Sequence, residues 1–281
     1  MTHYICQTCG TQYAQQEHPP SKCDICLDER QYVKPAGQEW TTLAAMHQQN
    51  FHNVITKEEA CLYSITTQPA FAIGQSAYLI QHPQMNVLWD CITYLDPDTI
   101  HTLTEKGGIQ AIALSHPHYY SSQVEWAERF DCPIYIHEDD KAWVMRPSSH
   151  IQFWSGEQID LAPGLTLHRL GGHFLGGSVL HWAGNEGGLG ALFTGDIIQS
   201  LPDLNWVSFM YSYPNLIPLP AIKVREMADR VGSLTFETLY HAFKRNIKKQ
   251  AHEVIQRSAT RYIEALTEER APTHRSPQKQ T

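Results

Sequence analysis

The run Ala111-Ile112-Ala113-Leu114-Ser115-His116-Pro117-His118-Tyr119-Tyr120-Ser121-Ser122 is a short apolar stretch that ends in two histidines flanking one proline. Neutral imidazole is a good ligand for zinc or iron. Proline restricts both its own φ and the residue before it, so the triplet can hold two rings converged on one ion. Three more apolar or alternating runs end in similar side chains. Leu165 to Leu170 leads into Gly171-Gly172-His173, Ala191 to Thr194 into Gly195-Asp196, and Leu239-Tyr240 into His241.

A second group lies at the N-terminus. Cys6-x-x-Cys9 and Cys23-x-x-Cys26 place four thiols in two short turns, within a segment (residues 1–36) too short to bury a core. Four thiolates suit tetrahedral Zn²⁺, and binding it would organise a segment that is otherwise largely unfolded. The segment resembles a zinc ribbon holding structural zinc; a rubredoxin-like iron site is the alternative, because both use four cysteines. Cys61, Cys91 and Cys132 lie in or beside apolar runs and read as small buried hydrophobes. An odd count of seven cysteines, with no signal peptide ahead of them, argues against a disulfide framework.

The order HxH, His, Gly-Asp, His resembles the metallo-β-lactamase fold superfamily over about residues 51 to 265, most specifically at Phe193-Thr194-Gly195-Asp196 and Gly171-Gly172-His173. The resemblance implies an α/β fold, an αββα sandwich whose strand ends deliver ligands to one edge. It implies His116, His118 and His173 as a three-histidine face for one metal, with Asp196 beside it as the residue that would bridge to a second. His241 would be a weak ligand of that second position or a substrate contact. Where the family's first motif reads HxHxDH, this chain reads HPHYYS, with Tyr120 and Ser121 in place of the acid and the last histidine. Two ligands of a second metal are therefore missing, and one catalytic zinc is expected. Tyr120 either donates a proton to a leaving group or packs without chemistry. Asp90 either orients a ligand histidine or caps the next loop.

These residues need elements to position them. Short strands are expected at 53–55, 61–65, 71–73, 77–80, 87–89, 109–114 and 133–136, then near 165–170, 178–183, 190–194 and 236–240. Helices are expected within 38–50, over 96–106 behind an Asp96 or Asp98 cap, over 123–130 behind a Ser122 cap, from Pro220 to about 231, and from Ile247 to Leu266. The domain expectation is thus a zinc ribbon at 1–36, a metallo-β-lactamase-like domain at 37–266, and a disordered tail at 267–281. The aromatic stretch 205–219 either walls a pocket with Trp206, Phe209, Tyr211 and Tyr213 or crosses between the halves.

Composition narrows the rest. With 281 residues, 42% hydrophobic and 18% charged, the chain is ordinary for a globular protein. A net charge of −8 gives no general attraction to a phosphate backbone, so no nucleic-acid partner is expected. No apolar stretch approaches the ~20 residues that span a bilayer, so no membrane association is expected, and the N-terminus lacks the character of a signal peptide, which points to the cytoplasm. The leading expectation is a metal-dependent, mononuclear zinc hydrolase acting on an ester, thioester, lactone or related small substrate. The alternatives are an iron-dependent redox protein with a rubredoxin-like module, and a non-catalytic scaffold whose ribbon docks a protein partner.

Overall fold

In the computed structural model, which describes residues 1–184 and 188–267, the alternating apolar runs become two β-sheets packed face to face. The larger has seven strands in the order His52–Glu59, Leu62–Gln68, Ala77–Gln81, Asn86–Trp89, Ala111–Ala113, Ile134–His137 and Ile151–Trp154. Its first three joins are antiparallel and its last three parallel. The smaller runs Gln158–Ala162, Leu165–Arg169, Ser178–Trp182, Ala191–Phe193 and Thr238–Tyr240, antiparallel except at the last join.

Successive side chains of a strand point to opposite faces, so each strand serves two cores. Val87, Trp89, Ala111 and Ala113 of the first sheet meet Leu167, Leu180 and Phe193 of the second between the sheets. Leu88 and Ile112, one residue out of phase, pack outward with Leu103, Val124 and Trp126 of the helices Pro97–Glu105 and Gln123–Phe130. Val179, Leu192 and Leu239 do the same with Val224, Met227 and Ile255 of Ala221–Gly232 and Ala251–Thr267. Helix, sheet, sheet, helix is the αββα sandwich expected from the sequence.

Local chemistry starts and stops these elements. Asp96 accepts from the Thr99 amide at 2.6 Å, and Pro97 fills the first helical turn, where its missing N–H costs nothing. Ser122 does not cap its helix as expected; its hydroxyl donates to the Thr93 carbonyl at 2.7 Å, joining the histidine loop to the previous crossover. Between 38 and 50 the helix shrinks to Leu43–Met46, preceded by the strand Trp40–Thr41, which pairs with Ile5–Cys6 and ties the cysteine segment to the chain that follows. Residues 71–73 form no strand. Cys61 is exposed at the turn between the first two large-sheet strands, unlike the buried Cys91 and Cys132. Ile151–Trp154 and Gln158–Ala162 are edge strands outside the expected set. The tail expected to be disordered lies, from residue 268, outside the described residues. Among those described, no helix is long and apolar enough to cross a membrane.

Candidate metal centre

The parallel joins put strand C-termini at one edge of the sandwich, where α/β folds commonly bind ligands. Asp90 directly follows Asn86–Trp89, His116 comes three residues after Ala111–Ala113, Asp196 three after Ala191–Phe193, and His241 directly follows Thr238–Tyr240. His116 is extended (φ −170°) and opens a single 3₁₀ turn, Pro117–Tyr119, that carries His118. His173 is set by the loop after Leu165–Arg169. A Cβ on Gly195 (φ +57°) would stand 2.6 Å from Ser115 Oγ, so glycine is what lets the Asp196 loop and the His116 loop meet.

One ligand nitrogen from each of His116, His118 and His173 lies within 4.8 Å of the others, and all three residues are buried. His118 Nδ1 and His173 Nε2 are 3.2 Å apart. Two nitrogens on one tetrahedral zinc, each ~2.05 Å from it, would be about 3.3 Å apart. His116 Nε2 faces Asp196 Oδ1 at 3.1 Å, yet neither atom has a hydrogen-bond partner. Buried polar atoms left without a partner cost stability unless something completes them. The donor set and its spacing therefore fit an ion at the histidine trio.

The rings are oriented from behind. Ser115 Oγ contacts His116 Nδ1 at 2.9 Å, and the Ser115 amide donates to Asp90 Oδ1 at 2.8 Å. His173 Nδ1 donates to the Met210 carbonyl at 3.2 Å, leaving Nε2 bare. Carboxylates and carbonyls behind ligand histidines are a common means of fixing their tautomer. Burial, then mutual repulsion with His173 and other nearby cations, holds His116 and His118 well below the ordinary histidine pKa, so both are neutral and ready to ligate. Burial raises Asp196, and burial pushes Asp90 up to about 8 against the Ser115 hydrogen bonds.

The structure brings together His116, His118, His173 and Asp196, and separates the remaining expectations. Tyr120 belongs to the apolar cluster of Leu88, Val124 and Trp126, away from the ligands. Its neighbour Tyr119 takes the position at the site: its ring centroid is 4.4 Å from that of His116, and burial and the Asp196 carboxylate raise its hydroxyl. The 3₁₀ turn is what exchanges the two tyrosines. His241 is buried but outside the trio; its Nδ1 accepts from the Phe243 amide at 3.1 Å, its Nε2 has no partner, and burial pulls it down to about 3.

A cavity of about 120 Å³ opens beside the trio, lined by His118, His173, Asp196 and Tyr119. Of the four aromatics in the stretch 205–219, Tyr213 lines it, whereas Phe209 is core and Trp206 lies under the Arg261 guanidinium at 3.6 Å. Sequence reasoning missed Arg30 and Gln31 of the N-terminal segment, which form part of the wall together with Gln199 and Phe243. No motif marks them; only the folding of the cysteine segment over the site reveals them.

The four expected cysteines form the other group. Cys6, Cys9, Cys23 and Cys26 are buried with sulfurs within 4.8 Å of one another, and Cys6–Cys26 and Cys9–Cys23 are each 3.6 Å apart. That is close to the about 3.8 Å edge of a Zn–S₄ tetrahedron with ~2.3 Å bonds, and far from a disulfide. Gln38 Nε2 and the Thr8 amide donate to Cys6 Sγ at 3.0 and 3.4 Å, as donors to a thiolate would.

No family model matches the sequence. Over 270 residues, 96% of this chain and 98% of the other, it is 63% identical to the uncharacterized protein YmaE of Bacillus subtilis (strain 168). The chain belongs to the YmaE family. Among solved structures, this YmaE-family chain superposes on the metallo-β-lactamase FIM-1 from Pseudomonas aeruginosa in its mono-zinc form with a TM-score of 0.55 at 14% identity, covering 75% of this chain and 96% of that one. VMB-1 gives 0.56 at 13%, covering 76% and 98%. A B3 metallo-β-lactamase with an active-site glutamic acid gives 0.54 at 15%, covering 76% and 89%. At such identities the likeness establishes the metallo-β-lactamase fold and no more.

Proposed function

We propose that this YmaE-family chain is a metal-dependent hydrolase holding one zinc on His116, His118 and His173, with a second, structural zinc on the four cysteines. The observation that carries the proposal is the convergence of three buried, neutral imidazoles on one point at the wall of a cavity. Three nitrogens and one open position are the donor set of catalytic zinc, whereas four buried thiols make a closed structural site. When bound, zinc supplies Lewis acidity, polarising a substrate carbonyl or phosphoryl oxygen and acidifying water.

The chain's own residues supply the rest. Ser115 and the Met210 carbonyl hold the His116 and His173 rings so that Nε2 faces the centre. Asp196, 3.1 Å from His116 and raised by burial, is poised to accept a proton at Oδ1 from an attacking water. Tyr119, protonated at neutral pH, is placed to donate one to a leaving group. A cavity of about 120 Å³ is small beside the ~300 Å³ of a pocket for a drug-sized ligand, which favours a compact ester, thioester or lactone.

The test is metal analysis combined with a panel of small esters, thioesters and lactones. Zinc at two ions per chain, and hydrolysis that disappears in His116→Ala while the fold persists, is the expected result. Full activity in that variant would overturn the proposal, and iron in place of zinc would redirect it to redox chemistry.

A further inference from the structure

The cysteine segment reaches the histidine trio through one side chain. Arg30 lies four positions beyond Cys26 and is buried to 9% exposure. Its guanidinium forks onto Asp28, Nε to Oδ1 at 2.5 Å and Nη2 to Oδ2 at 2.8 Å, while Nη1 donates to the backbone carbonyl of His173 at 3.2 Å. The same plane lies 3.8 Å over the ring of Phe174, the residue after His173, with Tyr211 at 5.4 Å. A planar fork satisfies a carboxylate, a carbonyl and an aromatic face at once, which an ammonium does not.

Both ends of this contact are anchored. On the module side, Asp24–Leu27 form one helical turn behind Cys23, and the Leu27 amide donates to the Cys23 carbonyl at 3.0 Å just before Asp28. On the body side, Asn215 Nδ2 donates to the carbonyls of Glu29 and Gln31 at 2.8 and 3.0 Å. The His173 loop, by contrast, enters through Gly171 and Gly172, both at positive φ (+68° and +81°), where glycine supplies little restraint of its own. The loop is tied across its base, Gly171 N–H donating to the Gly177 carbonyl at 2.9 Å and Gly177 N–H to the Phe174 carbonyl at 3.1 Å, but the hydrogen bond to the His173 carbonyl itself comes from outside the loop, from Arg30.

We infer that Arg30 is a positioning residue for His173, and that an ion in the four-cysteine site raises the affinity of the histidine site for its own ion. The inference rests on the proposed function only in requiring that the trio bind metal. Loss of the cysteine-bound ion releases Cys26, then Asp28 and Arg30, then the backbone that presents His173 Nε2.

Cobalt titration of the full-length, metal-stripped chain tests this without any substrate. Cobalt on four thiolates gives intense thiolate charge-transfer absorption, and on three histidines only weaker visible bands, so the two sites are read separately. Arg30→Met is expected to lower histidine-site affinity about 10- to 100-fold, in line with other groups that support ligands from behind, and to shift the visible bands, with the four-cysteine site unmoved. Cys26→Ser is expected to weaken the histidine site too, although Cys26 is not one of its ligands. Unchanged histidine-site affinity in either variant overturns the inference. Should Arg30→Met not fold, Asp28→Asn, which loosens the fork at constant shape, is expected to give the same shift to a smaller extent, and no shift there also overturns it. Coupled metal binding without hydrolysis would instead remove the proposed function and leave this inference standing.

Discussion

His118 Nδ1 and His173 Nε2 stand 3.2 Å apart, although 55 positions of chain separate the two residues. Two imidazole nitrogens facing each other at this distance can share one proton or one metal ion. With His116 Nε2 unpartnered beside them, one ion would account for all three. His118→Ala removes one corner and is expected to reduce bound zinc from about two ions per chain to one, the remaining ion being held by the four thiolates. Atomic emission on dialysed protein measures this, with circular dichroism as the check that the sandwich persists. Two ions retained would place the second elsewhere.

Ser115 stands between Asp90 and His116, with its amide on the carboxylate and its hydroxyl on the imidazole. Ser115→Ala deletes the hydroxyl but keeps the backbone, so the fold should be kept while the His116 ring loses its orienting partner. Zinc affinity at the histidine site is expected to fall about 10-fold or more, measured by competition with a chromophoric chelator. Asp90→Asn should act in the same direction. An affinity equal to wild type in both would make Asp90 a loop cap and nothing else.

How far the sequence disclosed this arrangement depended on what each residue answers to. The sandwich was legible because strands such as Val87-Leu88-Trp89 must present alternate residues to two cores, and the ligand-type motifs followed strand ends, where the fold gathers His116, His118, His173 and Asp196 but leaves His241 outside the trio. Edge strands were not read, although Gln158-Ile159-Asp160-Leu161 alternates polar and apolar, because Ile151–Trp154 and Gln158–Ala162 are only 4 and 5 residues long and bury only part of their side chains. The exchange of Tyr120 for Tyr119 was illegible because it depends on one 3₁₀ turn, Pro117–Tyr119, whose tighter winding rotates every side chain after Pro117. Arg30 and Gln31 were illegible because their role is a docking relation between distant segments, which leaves no local pattern.

That exchange yields its own test. Tyr119→Phe removes a hydroxyl from the cavity wall and, under the proposed function, is expected to lower kcat about 100-fold on any ester, thioester or lactone that the wild type hydrolyses, with metal content unchanged. Tyr120→Phe is expected to leave kcat at the wild-type value, whereas Tyr120→Ala, which empties an aromatic volume from the core, should cost about 3–5 kcal/mol in urea unfolding. A kcat loss in Tyr120→Phe and none in Tyr119→Phe would return the role to Tyr120.

His168 offers a pH test away from the metal centre. It lies on the strand Leu165–Arg169, its Nε2 buried without a partner, and burial, helped by the nearby His181 charge and opposed by Asp160, lowers it to about 4. In the unfolded chain the same imidazole titrates near ~6.5. At pH 7 both states are neutral and the group adds nothing. As pH falls from about 6.5 towards 4, the unfolded chain takes up a proton that the folded one refuses, so stability drops, by on the order of 1–3 kcal/mol for this group. His168→Gln abolishes the difference. Urea midpoints of wild type and variant should therefore converge or cross between pH 7 and pH 5, the variant losing less as acid is added, with other histidines contributing equally to both. Parallel midpoints across that range would mean that His168 protonates in the folded sheet as readily as in water.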